Sequence, residues 1–321
     1  MKSAIIGYGV IGAVHLSVLK SQGGTEIAVC DVDETKLSAL SGVEKYTDYK
    51  KMLDEFRPDV VHVCTPHYLH AEMVVECLKR NINVLCEKPL CIQKEELLEI
   101  LKAEQSSLAQ LGVCHQNRYN AANVFTKDYL EKEKPLSGFG TVVWRRTAEY
   151  YASGAWRGKW SSEGGGVLIN QALHTLDLLI WFLGEPNEVE GTISNLSLPE
   201  IEVEDTASIV CKNTDTGAGF SFFATNASAV DFPVEVTVKT NKETIKVMPE
   251  CVTVGGQRKV FQSDDKFYGK YCYGSGHGRL IADFYDCVKT GRKFPIDAKE
   301  GGKVVNVILT VYKQAKRRKG V

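Results

Sequence analysis

The chain has 321 residues, of which 44% are hydrophobic and 25% are charged, and its formal net charge at pH 7 is −1. This composition is typical of a globular protein that is long enough to form two hydrophobic cores. Because positive and negative charges nearly balance, the sequence argues against a general nucleic-acid-binding protein.

The sequence shows no pattern of export, membrane insertion or disulfide bonding. A predicted apolar strand follows directly after Met1 and Lys2, so we expect no signal peptide. The run LLIWFL, inside the most apolar predicted helix, is too short to span a membrane. The ten cysteines lack paired short spacings, which favours reduced thiols over a disulfide framework or a zinc site. We therefore expect a cytoplasmic protein with no metal and no membrane partner.

Predicted strands and helices alternate over the first 115 residues. The predicted strands are SAIIGYG, EIAVCD, DVVHVCTP, INVLCEKP and LGVCHQ, and the predicted helices are VIGAVHLSVLKSQ, DETKLSAL, DYKKMLDEF, YLHAEMVVECLKR and KEELLEILKAEQSSLAQ. Because mostly apolar strands alternate with helices, the pattern predicts a parallel sheet covered on both faces, as in a doubly wound α/β Rossmann domain.

The pattern changes after about residue 120. A helix around NVFTKDYLEK and a strand GTVVWRRTAEY precede the segment 164–184, which begins with three glycines and ends in a predicted apolar helix. The strands EVEGTISNL, TASIVCK, GFSFFAT and VEVTVKT follow without intervening helices, and two helices close the chain. Consecutive strands of this kind predict an α+β domain with a mostly antiparallel open sheet. We expect domains at 1–119 and 120–321, with the ligand cleft between them.

The first predicted strand runs into a G-x-G-x-x-G motif formed by Gly7, Gly9 and Gly12. Such glycines allow a tight turn, close approach of the backbone to a pyrophosphate and packing of the next helix on the strand. The motif also opens a helix here, with Val10 and Ile11 in its first turn, which is the context that a dinucleotide site requires. We therefore predict that these five residues bind the phosphates of a dinucleotide.

Asp31 ends the second predicted strand, nineteen residues after Gly12. A carboxylate at this place binds the ribose hydroxyls of NAD and repels the 2′-phosphate of NADP. NAD is therefore the expected cofactor, NADP is the less favoured one, and a flavin on the same fold is a lesser alternative. Asp33 is expected to cap the following helix.

Two further features are candidates for chemistry. Lys88, in CEKPL, follows a strand at the carboxyl end of the sheet, where ligands bind, although a surface lysine would fit the same turn. Asn170, His174 and Asp177 are spaced four and then three residues apart, so on a helix they would share one face. They either satisfy one another inside a core or line a cleft where a proton is moved.

Together, the segments GYGVIG, CTPHYLHA, CEKPL, GGG followed by H-x-x-D, and HGRLIADFYDCVKTG resemble the glucose–fructose oxidoreductase/inositol dehydrogenase/MocA family of NAD(P)-dependent oxidoreductases. The resemblance covers essentially the whole chain. It implies that Lys88 lies beside the reacting carbon, that the Lys88–Pro89 bond is cis and that His174 accepts or relays a proton. It also implies that the second domain binds substrate and assembles a homodimer or homotetramer.

The sequence departs from the inositol-type members of that family at Asn170, where they carry an aspartate. An amide cannot ionise, so we expect Lys88 and His174 to be the proton-handling pair. Asn170 can still hydrogen-bond a substrate hydroxyl or hold the lysine. Asp177 is expected to be a buried partner of its helix or of His174.

Further site residues follow from position and from the resemblance. Thr65 and Pro66 end a strand that faces the cofactor, and His67 and His70 open the next helix. By resemblance, Glu87, Gln116, Arg118, Trp156 and Arg157 are expected to contact the cofactor, and Asn170, Tyr119, Trp156 and His277 the substrate. For Tyr119, Trp156 and His277 a purely structural role stays open.

The resulting hypothesis is an NAD-dependent dehydrogenase acting on CH–OH groups. Hydride would pass from a secondary alcohol of a sugar, cyclitol or sugar derivative to the nicotinamide, and Lys88 or His174 would take the hydroxyl proton. The alternatives are a glycosidase of the same family that recycles NAD, or a non-catalytic NAD-binding regulator. Lys88 and His174 argue against the regulator, since a binding module needs neither.

Overall fold

A computed structural model of the chain describes residues 1–261 and 274–318. The described residues group into two units, one made of 1–116 with 274–302 and the other of 117–261 with 303–318. The prediction assigned all residues after 119 to the second domain, whereas 274–302 pack with the first unit. Sequence pattern could not reveal this, because a helix that returns to an earlier sheet looks like any other amphipathic helix.

The first unit is built on a parallel sheet of six strands in the order β3-β2-β1-β4-β5-β6. The strands are β1 (Lys2–Ile6), β2 (Glu26–Cys30), β3 (Glu44–Tyr46), β4 (Val60–Val63), β5 (Asn83–Cys86) and β6 (Leu111–Val113). The central strands are apolar and buried, as the sequence predicts. The short edge strand β3 is polar and largely exposed, so hydrophobic pattern gave no signal for it.

Six helices belong to the described part of this unit, counting only those that lie wholly within it. They are α1 (Val10–Gln22), α2 (Glu34–Ser38), α3 (Tyr49–Phe56), α4 (His70–Lys79), α5 (Lys94–Ser106) and α9 (Gly276–Thr290). Asp33 caps α2 by accepting a hydrogen bond from the Thr35 amide, which confirms the prediction. In α9, Phe284 packs over Gly112 of β6, and the Tyr285 hydroxyl hydrogen-bonds Ser3 of β1.

The second unit contains an eight-stranded sheet in the order β14-β13-β12-β11-β7-β10-β9-β8. The strands are β7 (Pro135–Val143), β8 (Glu188–Ser194), β9 (Thr206–Lys212), β10 (Gly219–Thr225), β11 (Glu235–Thr240), β12 (Thr244–Met248), β13 (Cys251–Val254) and β14 (Gln257–Val260). Only the β7–β10 pair is parallel among these described strands, so the mostly antiparallel prediction is confirmed. The strands β12 to β14 were not predicted.

One face of this sheet packs against a helix. The helices here are α6 (Ala121–Lys132), α7 (Ala148–Ala152), α8 (Leu173–Leu183) and α10 (Ala298–Arg318), whose first residues belong to the first unit. Leu179 and Leu183 of α8 lie against Gly138 and Gly140 of β7, where a side chain would collide with them. The strand predicted at GTVVWRRTAEY both begins and ends earlier than expected, since β7 is Pro135–Val143 and α7 begins at Ala148.

The described residues contain nine cysteines, all buried and all free thiols, whereas Cys272 lies outside the described residues. Among the helices that the structure describes, none combines the length and the apolar character that crossing a membrane requires.

Candidate active site

The glycine motif forms the turn between β1 and α1. Gly7 has a φ of 94°, a left-handed value that favours glycine, and its amide donates to the Cys30 carbonyl at 2.8 Å. A Cβ on Gly12 would lie 2.1 Å from the Gly7 carbonyl oxygen, so helix and turn touch directly there. At Gly9 the Cβ position has no described heavy atom within 4 Å. The loop thus presents open backbone at the amino terminus of α1, where a pyrophosphate fits.

The two other predicted residues of this loop lie at its surface. Val10 is 66% exposed, although it is apolar, and Ile11 is half-buried. In the described part of the chain no side chain caps the amino terminus of α1, and its first turn contains no acidic residue. A negatively charged ligand would therefore meet helix N–H groups with no acidic side chain in the first turn of α1.

Asp31 lies directly after β2 and faces the glycine loop. Its Oδ2 accepts a hydrogen bond from the Tyr8 amide at 2.7 Å, and its Oδ1 accepts one from the Asp33 amide at 2.9 Å. Lys36 Nζ lies 3.2 Å from Oδ1. The carboxylate is therefore fixed against the glycine loop, and its contact with the ribose stays a prediction.

The predicted residues after β4 are joined to the Lys88 turn through one histidine. His70 places Nδ1 2.7 Å from the Pro89 carbonyl oxygen and Nε2 2.8 Å from the Thr65 carbonyl oxygen. Burial lowers the pKa of His70, and the two carbonyl acceptors offset only part of that effect. Pro66 precedes a short 3₁₀ helix, His67–Leu69, in which His67 is buried. The structure thus brings Thr65, His70 and the Lys88 turn together.

Lys88 follows β5, and its peptide bond to Pro89 is cis, as predicted. Its side chain is partly buried, and its amide donates to Glu87 Oε2 at 3.1 Å. Burial alone would raise the pKa of Glu87, but His15 and His277 beside the carboxylate hold that pKa well below its ordinary range. His277, a predicted substrate contact, is 1% exposed and lies with Nε2 3.7 Å from Glu87 Oε1.

Gln116, Arg118 and Tyr119 lie in a 3₁₀ helix, Gln116–Tyr119. Gln116 is buried and Tyr119 is half-buried. Arg118 forms a bidentate ion pair with Asp177 of α8. Its Nε donates to Oδ2 at 2.8 Å, and its Nη2 donates to Oδ1 at 2.7 Å. Asp177 is therefore a buried residue paired with Arg118, a partner that the sequence analysis did not name. No local pattern indicates this pair, because its members are 59 residues apart in the sequence.

The glycine-rich segment is less helical than predicted. The helix α8 begins at Leu173, so His174 lies in its first turn, whereas Asn170 lies in the turns before it. The Ala172 N–H donates a hydrogen bond to the carbonyl oxygen of Val167, five residues earlier. An α-helix joins residues four apart, so this bond interrupts regular helix geometry before α8. Asn170 and His174 therefore do not share the face of one regular helix.

Asn170 belongs to a polar cluster that the sequence did not reveal. Its Nδ2 lies 2.5 Å from Oε1 of the fully buried Glu163, and Arg157 Nη1 lies 4.0 Å from the same oxygen. The Tyr150 hydroxyl accepts hydrogen bonds from Arg157 at 2.6 Å and from Gln171 at 2.9 Å. A single glutamate before three glycines gives no periodic signal, so only the structure identifies Glu163 as the acid beside Asn170.

The predicted residues Trp156 and Arg157 lie at the edge of this cluster. The Arg157 guanidinium stacks 4.5 Å from the centroid of the Trp156 ring and 4.5 Å from that of Tyr150. Both predicted residues are partly buried. This sandwich fixes a cation beside Asn170 and Glu163 and supports a site that recognises polar groups.

A second buried carboxylate, Glu204, holds the segment that leads to Asn170. It accepts hydrogen bonds from the Gly166 amide at 2.9 Å, the Leu168 amide at 3.1 Å and the Tyr312 hydroxyl at 2.7 Å. Burial raises the pKa of Glu204 to about 7, although these three donors oppose the rise.

The raised pKa of Glu204 predicts that the second unit loses stability as the pH rises. The folded pKa of about 7 lies above the ordinary 4.5, so between these values the unfolded chain releases a proton that the folded chain keeps. Relative to Glu204→Gln, we expect the unfolding free energy to fall by about 3 kcal/mol from pH 4 to pH 8. All four tryptophans lie between residues 144 and 181, so their fluorescence reports this unit in denaturant titrations. A pH-independent difference between the two proteins would contradict the prediction.

Comparisons with known proteins agree across both units. A family model described as "Oxidoreductase family, NAD-binding Rossmann fold" matches residues 1–115, and the GFO/IDH/MocA C-terminal domain model matches 135–246. An inositol 2-dehydrogenase of Rubrobacter xylanophilus is 26% identical over 254 residues, which are 76% of this chain and 70% of that protein. A D-glucoside 3-dehydrogenase of Escherichia coli is 29% identical over 204 residues, 58% of this chain and 55% of that protein.

A solved structure extends the likeness over the full length. The WlbA dehydrogenase from Bordetella pertussis, crystallised with NADH and UDP-GlcNAcA, is 25% identical and superposes with a TM-score of 0.86. The match covers 100% of this chain and 97% of that one. Since two models of one family match the two parts of the chain, and the glycine loop and Asp31 fit a dinucleotide, the chain belongs to the NAD-binding Gfo/Idh/MocA family of oxidoreductases.

Proposed function

We propose that the chain is an NAD-dependent dehydrogenase that transfers hydride between a secondary alcohol of a sugar, cyclitol or sugar derivative and the nicotinamide. The observation that carries this proposal is the match to both the NAD-binding and the C-terminal models of one family. Similar proteins are named for the oxidation of inositol and of a glucoside, which supports a polyhydroxylated substrate.

The first unit supplies the groups that would hold NAD. The open backbone at Gly9 and the N–H groups that begin α1 would receive the pyrophosphate, and Asp31 would bind the adenosine ribose. A carboxylate there favours NAD over NADP, because it repels a 2′-phosphate. When bound, the cofactor supplies the hydride acceptor.

Proton transfer is assigned to Lys88 and His174. As the alcohol is oxidised, its hydroxyl proton needs an acceptor, and an amine or an imidazole can serve once it is deprotonated. Asn170 cannot ionise, but its amide is held through Nδ2 by Glu163, so it is oriented to hydrogen-bond a hydroxyl. We propose that Lys88 and His174 move the proton and that Asn170 and Tyr119 position the substrate.

Two arginines of the second unit support the inclusion of substrates with an acidic group in the test. Arg157 is fixed between two aromatic rings beside Asn170, and Arg146 stacks 5.3 Å from the Tyr150 centroid. A similar dehydrogenase was crystallised with UDP-GlcNAcA, a nucleotide sugar acid. Nucleotide sugars and sugar acids therefore belong in the substrate panel beside aldoses, polyols and inositols.

The test is NADH formation, followed by absorbance, with the purified chain, NAD and that panel of compounds. One compound is expected to reduce NAD, and Lys88→Met is expected to lower kcat on it about 10²- to 10⁴-fold, which is the usual contribution of a positioned acid–base group. NADH binding should stay within about threefold of the unsubstituted protein, because the methylene stem is retained. The control Lys94→Met alters an exposed lysine at the start of α5 and should leave kcat unchanged.

Other outcomes distinguish the competing functions. Loss of less than threefold in kcat for Lys88→Met would contradict the role of that lysine. Consumption of a glycoside with no net NADH would support the NAD-recycling glycosidase. Binding of NADH without turnover of any compound in the panel would count against the dehydrogenase and favour the regulator.

A further inference from the structure

Four side chains with metal-binding atoms converge inside the first unit. They come from separate parts of the sequence: His15 from α1, Glu87 after β5, Cys114 after β6 and His277 from α9. One nitrogen, oxygen or sulfur atom of each lies within 4.8 Å of those of the other three. None of the four residues is more than 4% exposed, so the cluster is closed to bulk solvent.

The distances are close to those of a tetrahedral metal centre. His15 Nε2 and His277 Nε2 lie 3.0 and 3.7 Å from Glu87 Oε1, and Cys114 Sγ lies 4.0 Å from His15 Nε2. Metal bonds of about 2.0–2.3 Å at tetrahedral angles place neighbouring ligand atoms about 3.3–3.7 Å apart. Shifts of less than about 1 Å would therefore convert these contacts into a coordination shell.

The donor types and the charge select the class of ion. Imidazole and thiolate ligands suit zinc, cobalt and related ions, whereas calcium and magnesium take oxygen ligands. A divalent ion with one carboxylate, one thiolate and two neutral imidazoles has a net charge of zero. A neutral assembly suits this site, because an uncompensated charge is costly in a buried position.

A chain of hydrogen-bonding distances connects His15 to His62 and Tyr285. His15 Nδ1 lies 2.7 Å from His62 Nδ1, and His62 Nε2 lies 2.9 Å from the Tyr285 hydroxyl. If His15 Nε2 binds a metal, its Nδ1–H donates to His62, and His62 Nε2–H donates to Tyr285. Metal-binding histidines usually donate their second N–H in this way, and every group in the chain stays neutral.

We propose that His15, Glu87, Cys114 and His277 form a buried tetrahedral site for a zinc-class divalent cation. The expectation of no metal, drawn from cysteine and histidine spacing, missed this set because its ligands lie at positions 15, 87, 114 and 277. In this arrangement Glu87 and His277 serve as metal ligands in place of the cofactor and substrate contacts that the resemblance implies, and the ion would stabilise the first unit. The competing arrangement is a metal-free cluster in which the two histidines hydrogen-bond the Glu87 carboxylate.

The test is metal content and cobalt spectroscopy of the full chain, without any activity assay. Protein purified from cells grown in ordinary medium is expected to hold about one zinc per chain after dialysis. Protein expressed with cobalt as the only added transition metal should show tetrahedral cobalt absorption and a sulfur-to-cobalt charge-transfer band. Cys114→Ala should lose the charge-transfer band and lower cobalt affinity by at least 100-fold. The control Cys77→Ala removes an equally buried thiol in α4. This variant should retain the charge-transfer band and the cobalt affinity of the unsubstituted chain.

Two results would overturn the proposal. One is an unsubstituted chain that holds neither zinc nor cobalt in stoichiometric amount, which needs no variant and leaves the metal-free cluster. The other is a bound cobalt ion whose spectrum is the same in Cys114→Ala as in Cys77→Ala. Because neither readout uses a substrate, failure here is distinguishable from failure of the dehydrogenase proposal.

Discussion

Gly12→Ala is expected to weaken NADH binding at least 100-fold and to destabilise the first unit by about 2–3 kcal/mol. The added Cβ would lie 2.1 Å from the Gly7 carbonyl oxygen, a backbone atom that cannot move without moving its turn. The Gly7 backbone is itself packed closely on Cys64, since a Cβ on Gly7 would lie 2.7 Å from the Cys64 carbonyl oxygen. The strain therefore displaces the amino terminus of α1 from the phosphate position.

Gly9→Ala provides the matched control. Its Cβ would enter open space among the described residues, and the Gly9 φ of −89° is allowed for alanine. We expect Gly9→Ala to unfold like the unsubstituted chain but still to bind NADH less tightly, because the methyl group would occupy space that a pyrophosphate needs. NADH fluorescence titrations measure affinity, and thermal unfolding by circular dichroism measures stability. Affinity within threefold of the unsubstituted chain for Gly12→Ala would contradict the cofactor position.

The features that the sequence predicted correctly depend on local pattern. The alternation of apolar strands with amphipathic helices identified the parallel sheet, and the glycine spacing identified the turn between β1 and α1. The cap at Asp33 also follows from neighbours in sequence. Each of these signals depends on residues that are near one another in the sequence, so no long-range contact is needed to read it.

The features that the sequence missed depend on contacts between distant residues. The turns before α8 bring Glu163 beside Asn170. The Arg118–Asp177 ion pair joins the 3₁₀ helix Gln116–Tyr119 to α8. The start of α8 was placed too early because a hydrophobic pattern does not show the irregular hydrogen bond at Ala172. Likewise, nothing in the pattern of α9 shows that His277 lies beside Glu87. The roles assigned to the site residues stay predictions that the variants proposed here can test.

Asp177→Asn is expected to destabilise the second unit by about 3–5 kcal/mol, since it leaves the Arg118 guanidinium buried without its counter-charge. Arg118 and Asp177 are 5% and 1% exposed, so water cannot replace the lost carboxylate without opening the structure. The substitution keeps the volume of the side chain, so the loss reports charge rather than packing. Denaturant titration followed by tryptophan fluorescence measures it, because Trp181 lies 5.4 Å from the Arg118 guanidinium.

The partly exposed pair Lys246–Glu235, in the same sheet unit, serves as the comparison. Glu235→Gln is expected to cost less than about 1 kcal/mol, because solvent screens that ion pair and can hydrate the unpaired lysine. The difference between the two stability costs shows whether burial of the ion pair, rather than ion pairing itself, causes the loss in Asp177→Asn. A cost below about 1 kcal/mol for Asp177→Asn would contradict the prediction and show that Arg118 does not depend on the Asp177 charge. A large cost assigns Arg118 a structural role through Nε and Nη2, and its predicted contact with the cofactor would then have to use Nη1.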